Sequence, residues 1–465
     1  MTTRTLETDY LVVGAGASAM AFTDALTTDG DADVVMVDRR HAPGGHWLDA
    51  YSFVRLHQPS SFYGVNSLPL GSETIDAYGP NKGLYERAGG PEICAYYDRV
   101  MQKRLLPSGK VRYFPMSEYV GPHRFVSLPS RVEYDVTVRK KVVDATYLET
   151  SVPATSAPPF EVATDARCVP VNDLARVVGR ADRYVIIGAG KTAADACLWL
   201  LEIGIPPQDI RWIKPRDSWY VNRVYMQGGE LVATFFEGIA AQTEAAARAS
   251  SIADLFTRLE AAEQLLRIDP DVTPTVYRGA TMSSWEIQQL SRIRDVVRLG
   301  RVRRIDRDDI TLDGGTVPTR PHHIHVHCAT RGLNPAPGIP LFTDDRITLQ
   351  SIRLGLMPFN SAMTGFLEAT RGDTAEKNRL CPPNRQPDTS LDWLSGTLTG
   401  MQADYGWSRD PAITAWLERS RLNVARGLRS RTDDSRLQPA AARYAQNAGA
   451  AVDNLRRLLV QASGS

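Results

Sequence analysis

The sequence predicts an α/β protein made of two strand, turn and helix units, with a helical insertion in the second unit and a helical C-terminal region. Three observations carry this. "YLVVGAGASAMAFTDAL" begins at residue 10, and "RYVIIGAGKTAADACLWLL" repeats its plan from residue 183. Each joins an apolar run to a helix start through GxGxxA, with Gly14, Gly16 and Ala19 in the first copy and Gly188, Gly190 and Ala193 in the second. After each copy, strand-like and helix-like segments alternate.

The first glycine of such a turn permits the tight bend, and the second lets a pyrophosphate approach the backbone. The third small residue lets helix and strand pack closely, and the free N–H groups of the helix start face the phosphates. In the first copy these are the groups of Ala17 and Ser18, and in the second those of Lys191 and Thr192. Two copies predict two Rossmann-like dinucleotide-binding domains. The strand after the first helix, "ADVVMVDRR", ends in Asp38, about twenty residues on, where an acid accepts hydrogen bonds from ribose hydroxyls; Arg39 and Arg40 follow it. The equivalent strand of the second copy, "DIRWIKPR", ends in Lys214 and Arg216 with no acid. Cations there suit the 2′-phosphate of NADPH; the alternative is a basic surface turn.

The first domain takes residues 1–155 as its first part. It includes the long aromatic stretch "HAPGGHWLDAYSFVRLHQPSSFYGVNSLPLG", a helical "PEICAYYDRVMQKRLL", and strands in "RFVSL" and "YDVTVRKKVVDATYLET". "SVPATSAPP" is the linker. The second domain spans 165–330, with a helical insertion over about 228–298 and strands in "VVRLG", "VRRIDRDDITLDGG" and "HHIHVHCAT". Residues 331–465 return to the first domain through "RITLQSIRLGLMPFNSAMTGFLEATR" and end in the helical region.

With 465 residues, 43% hydrophobic content and a formal net charge of +1, the chain offers no electrostatic reason to expect nucleic acid or a membrane surface as partner. A polar start, "MTTRTLETDY", and the absence of a membrane-length apolar run lead us to expect a soluble, cytoplasmic protein. Five dispersed cysteines without a close pair argue for reduced thiols and against dithiol chemistry. "HHIHVHC" holds four of the eight histidines and places His323, His325 and His327 on one strand face. That face is either a metal site or packed histidines.

Several segments match a known family in order. "PGGHW", with Gly44, Gly45, His46 and Trp47, is similar to a GGxW segment, and "LHQPSSFYG" contributes His57, Gln58, Ser60 and Tyr63. "GAGKTAADA" fits GxGxSxxD with Thr192 in place of the serine and Asp195 as the aspartate. "CATRG" is similar to a closing ATG, with Arg331 in the glycine position. Through these residues the chain resembles the two-dinucleotide flavoproteins that include flavin-containing and Baeyer-Villiger monooxygenases. The resemblance implies FAD in the first domain and NADPH in the second. It places Gly14, Gly16, Ala17, Ser18, Asp38, Arg39, Arg40, Gly45, His46, Trp47, His57 and Val143 around the flavin nucleotide, and adds Gln350 and Asn360 where the chain returns. It also implies hydride transfer to the flavin, O2 as co-substrate and oxidation of a small organic molecule through a flavin hydroperoxide kept from water.

The family fingerprint FxGxxxHxxx, closed by Phe or Trp, is incomplete here: Phe160 is present, but its glycine and histidine are not. A flavin-dependent reductase or dehydrogenase without oxygen transfer is therefore the alternative, and a cofactor-binding sensor without turnover is the third reading. No residue is assigned as a catalytic acid or base.

Overall fold

The computed structural model describes residues 3–463 except 180, 331, 334–335 and 432–433, so Arg331 lies outside the described residues. Aliphatic runs buried on both faces make β1 (Thr3–Val13) and β2 (Val34–Val37) adjacent parallel strands, and α1 (Ala17–Asp29) crosses between them. The long loop and α2 (Gly90–Val100) follow, then β3 (Val111–Phe114), β4 (Ser117–Gly121), β5 (Arg124–Ser127) and β6 (Glu133–Asp144). Short elements β7 (Thr150–Ser151), β8 (Glu161–Val162), β9 (Cys168–Pro170) and α3 (Leu174–Val177) lead to the second turn. There β10 (Arg183–Ile187), α4 (Lys191–Glu202) and β11 (Ile210–Ile213) repeat the first plan.

Next come β12 (Ser218–Asn222), α5 (Val232–Arg248), α6 (Ile252–Ala261), β13 (Leu265–Leu266), β14 (Val276–Met282) and α7 (Ser284–Leu290). The second unit closes with β15 (Asp295–Val297), β16 (Val302–Ile305), β17 (Asp309–Leu312), β18 (Gly315–Pro318), β19 (His323–His327) and β20 (Gly332–Leu333). The chain then forms β21 (Arg346–Thr348), α8 (Met357–Thr370), α9 (Thr374–Leu380), α10 (Ser390–Ser408), α11 (Pro411–Arg419) and α12 (Leu437–Ser463).

The parallel part of the first sheet runs β3-β2-β1-β6-β21, and β5 and β4 extend it from the other end of β6. The second sheet, β15-β11-β10-β19-β9, is parallel throughout. Both glycine turns therefore sit at the carboxyl end of a central strand, where open α/β sheets bind ligands. The returning segment completes the first unit. β21 pairs with the end of β6, and α8 packs so closely on α1 that a Cβ on Gly365 would run into the carbonyl of Phe22. Buried Glu368 of α8 fixes this return, accepting from Tyr10 Oη at 3.0 Å, Lys141 Nζ at 3.2 Å and Lys377 Nζ at 2.5 Å.

The expected helical insertion is only partly helical. It holds α5, α6 and α7, but also β13 and β14, which flank β12 in a separate small sheet, and β15, the edge strand of the second sheet. The Ala-rich text of α5 sets a helical pattern, but Val276, Tyr277 and Thr281 favour a strand, and β12 offers an edge to pair with. The histidine face of β19 is packed. Thr319 Oγ1 lies 3.1 Å from His323 Nδ1 and 2.9 Å from His325 Nε2, and His325 Nδ1 meets the Arg167 carbonyl at 3.0 Å. Among the described residues no group of three or more His, Cys, Asp or Glu could hold a metal ion. The five cysteines are free thiols. No helix among the described residues is long and apolar enough to cross a membrane.

Candidate dinucleotide and substrate site

In the first turn Gly14 takes φ +106°, a conformation side-chain-bearing residues avoid, and its N–H donates to the Val37 carbonyl at 2.8 Å. The first internal bond of α1 runs from Met20 N to Gly16 O, so the N–H groups of Ala17 and Ser18 have no helical acceptor. Asp38 closes the turn from β2. Its Oδ2 accepts from Ala15 N at 2.6 Å and its Oδ1 from Arg40 N at 2.7 Å, which leaves lone pairs on both oxygens for ribose hydroxyls. Gly44 N donates to Ala15 O at 2.9 Å and brings Gly45, at φ +60°, against Gly16; a Cβ on Gly45 would stand 3.0 Å from the Gly16 Cα. Two glycine backbones thus form a cradle that any side chain would fill, the shape and donor set a pyrophosphate needs. Arg40 turns away to Asp49 at 2.9 Å, and exposed Arg39 pairs with Glu149.

The second turn differs. Gly188, at φ +148°, lies so close to Cys328 that a Cβ would stand 3.0 Å from its backbone, whereas a Cβ on Gly190 would meet nothing within 4 Å. The first internal bond of α4 runs from Ala194 N to Gly190 O, so the N–H groups of Lys191 and Thr192, which line the cavity, have no helical acceptor. Lys191 places a cation where the helix dipole disfavours one, and Asp195 one turn later pairs with it. Asp195 also accepts from Tyr51 Oη at 2.7 Å, a hydroxyl supplied by the long loop of the first unit. Burial, then the Asp195 charge, pushes the Tyr51 hydroxyl well above its ordinary value, so it stays a donor.

Between the two units lies a cavity of about 1600 Å³. From the first unit His46, Trp47, Tyr51 and His57 line it, and from the second Gly188, Gly190, Lys191, Thr192 and Arg216. Trp47 is held by its indole N–H, which donates to Tyr63 Oη at 2.7 Å. Burial lowers both histidines to about 4, with Arg40 adding to the effect at His46 and Lys191 at His57, so both are neutral at pH 7. Behind His57, Arg223 Nε donates to its carbonyl at 3.0 Å and Nη2 to Glu286 Oε2 at 2.7 Å. Burial would raise the Glu286 carboxyl, but Lys191, Arg223 and Arg87 outweigh it and hold the group at about 2.

Besides Arg39 and Arg40, four expected cofactor residues face elsewhere. Lys214 is buried, donates to Asp217 Oδ1 at 2.5 Å and sits 4.7 Å over the Trp212 ring, so its charge is spent inside the protein. Val143 is wholly buried in the first core. Gln350 bonds both backbone groups of Ile339, at 3.2 and 2.9 Å. Asn360 does the same for Arg353, at 2.9 and 2.8 Å. In each of the last two a buried amide satisfies a loop's backbone. The sequence reading missed Tyr51, Arg301 and Arg303; Arg301 reaches the cavity from the turn before β16 and Arg303 from β16 itself. The basic run "GRVRR" was their only signal.

The uncharacterized protein Rv2000 of Mycobacterium tuberculosis is 50% identical over 422 residues, covering 90% of this chain and 78% of that protein; the uncharacterized protein Mb2023 of Mycobacterium bovis matches to the same extent. The chain belongs to their family. Residues 12–81 match the family model described as an NAD(P)-binding Rossmann-like domain, which covers the first turn, Asp38 and the glycine cradle. Solved structures similar to this chain include cyclohexanone monooxygenase from Rhodococcus sp. Phi1 bound to NADP+, at 13% identity and TM-score 0.47 over 81% of this chain and 84% of that one. A flavin-containing monooxygenase from Stenotrophomonas maltophilia matches at 14% identity and TM-score 0.42 over 88% and 99%. A bacillithiol disulfide reductase from Staphylococcus aureus matches at 10% and 0.41 over 70% and 77%.

Proposed function

We propose that the protein is an FAD-dependent, NADPH-using oxidoreductase of the monooxygenase type, acting on a small organic molecule with O2. One observation carries this reading: a single cavity is lined by the GGxW segment of one dinucleotide unit and the open glycine turn of the other. Two dinucleotides bound in these turns would meet there, and bound FAD would supply hydride acceptance and oxygen activation.

The chain's own part is positional and electrostatic. Gly16 and Gly45 cradle one pyrophosphate, and Asp38 takes the adjoining ribose. The free N–H groups at the start of α4 take the second pyrophosphate, with Lys191 turning from Asp195 to the phosphate while Tyr51 keeps Asp195 satisfied. Arg216, Arg301 and Arg303 line the cavity beyond the end of β11, where the 2′-phosphate of NADPH would lie. Trp47, fixed by Tyr63, sets the wall on which the reacting rings would rest.

Anaerobic titration of the flavin-loaded protein with NADPH, followed by air, tests the reading. Bleaching by NADPH and delayed reoxidation, lengthened by substrate, is the expected result. Immediate release of peroxide would select the reductase, which the missing glycine and histidine of the fingerprint favour. Absence of bleaching would refute both.

A further inference from the structure

Part of the cavity lies beyond both glycine turns, between α5 and α10. On α5 the lining residues Phe235, Phe236, Ile239, Gln242, Thr243 and Ala246 recur at helical spacing and form one face. None is charged, and the Thr243 hydroxyl is turned back to the Ile239 carbonyl at 2.8 Å, which leaves its methyl outward. The opposing face of α10 offers Trp393, Gly396, Thr397, Gly400 and Met401. A Cβ on Gly400 would meet nothing within 4 Å, so the glycine leaves room rather than allowing close packing.

The cations bordering this lobe are ion-paired, and Asp388 is shared between Arg278 and Arg216. Arg353 Nε donates to Asp404 at 2.8 Å, and Arg278 Nε donates to Asp388 at 2.6 Å. Within the lobe Gln242 Nε2 donates to Gln264 Oε1 at 3.1 Å. The Gln242 carbonyl oxygen is left as an acceptor.

We infer that the slot between α5 and α10 is the substrate chamber and that it takes a neutral molecule with a long or bulky hydrocarbon body. This rests on the proposed function for the word substrate, but the binding claim stands without it. Among the described residues bordering the slot Arg353, Arg278 and Arg216 are already paired, so a carboxylate or ammonium would give up its hydration without an unpaired counter-ion there, a far larger loss than that of a ketone or alcohol.

The test uses the full chain as purified and follows tryptophan emission on titration with 2-dodecanone and with dodecanoate. The ketone is expected to give a saturable change that disappears in Trp393→Phe, and dodecanoate to bind at least about tenfold more weakly, the cost of an unpaired charge at the low end. Gly400→Phe, which fills the slot, is expected to abolish ketone binding while NADPH binding persists. If that variant loses its native circular dichroism, Ala246→Phe fills the slot from the other helix. Equal or tighter binding of dodecanoate, or ketone binding untouched by a folded slot-filling variant, would overturn the inference. Failure to load flavin with ketone binding intact would instead count against the proposed function alone.

Discussion

The two glycine turns share a motif and differ in what closes them. In the first, a second glycine pair folds back onto the turn and Gly45 meets Gly16, so the cradle is two-sided and enclosed. In the second, the first glycine is pressed against Cys328 and the space over Gly190 is open. An enclosed cradle suits a dinucleotide that stays, and an open one suits a dinucleotide that comes and goes. GxGxxA alone does not separate the two; the elements packed around each turn do.

The largest test of this difference is at the first glycine of each motif. Gly188→Ala sets a methyl against the Cys328 backbone at a strained φ and should cost about 3 kcal/mol of stability; Gly14→Ala meets only Thr146 and Ala145, at 3.4 Å and beyond, and should cost about half as much. Denaturant unfolding of the two variants gives the comparison, and equal losses would contradict it.

At the second glycine the contrast is in function. Gly16→Val should push Gly45 away and lose both flavin and stability. Gly190→Val should fold within about 1 kcal/mol of the parent, yet lose reduction by NADPH. Flavin absorbance of the purified variants, with their thermal midpoints, checks both outcomes.

The two cations after β11 sharpen it further. Lys214→Ala leaves Asp217 with Arg298 alone and should destabilise by about 2 kcal/mol while the NADPH requirement holds. Arg216→Ala should change stability by less than about 0.5 kcal/mol and raise the NADPH requirement but not that for NADH. Titrating both nicotinamides into each variant separates the roles.

The remaining test is one of pH dependence. His46 and His57 are lowered from 6.5 to about 4 in the folded chain, so between those values the unfolded chain binds more protons. Their contribution is complete above pH 6.5 and is lost as pH falls toward 4, and Glu286, lowered from 4.5 to about 2, extends the loss further into acid. The thermal midpoint should fall steadily from pH 7 to pH 4, and His57→Gln should flatten part of that slope.

The sequence shows most clearly those features whose chemistry is local. Gly14, Gly16, Asp38, Gly188 and Gly190 follow from backbone demands that act within one turn, and the structure places them at the carboxyl ends of central strands. Lys214 and Arg216 look alike on paper because both follow the same strand; that Asp217, three residues on, neutralises one of them depends on how the strand ends. Gln350 and Asn360 read as flavin neighbours because they lie where the chain returns to the first unit, and the loops whose backbone they satisfy become visible only in three dimensions. Tyr51 acts on a helix that begins far along the chain, and no spacing rule announces such a contact.

The return of β21 and α8 to the first unit has a consequence during synthesis. The N-terminal unit is translated first but cannot finish folding until residues up to Glu368 have left the ribosome, because Tyr10 and Lys141 hold that carboxylate and α1 needs α8 to cover it. The second unit has all five strands of its sheet by His327 and is complete earlier. The half made last in outline is therefore closed first, and the nascent chain carries an uncovered α1 face through most of its elongation.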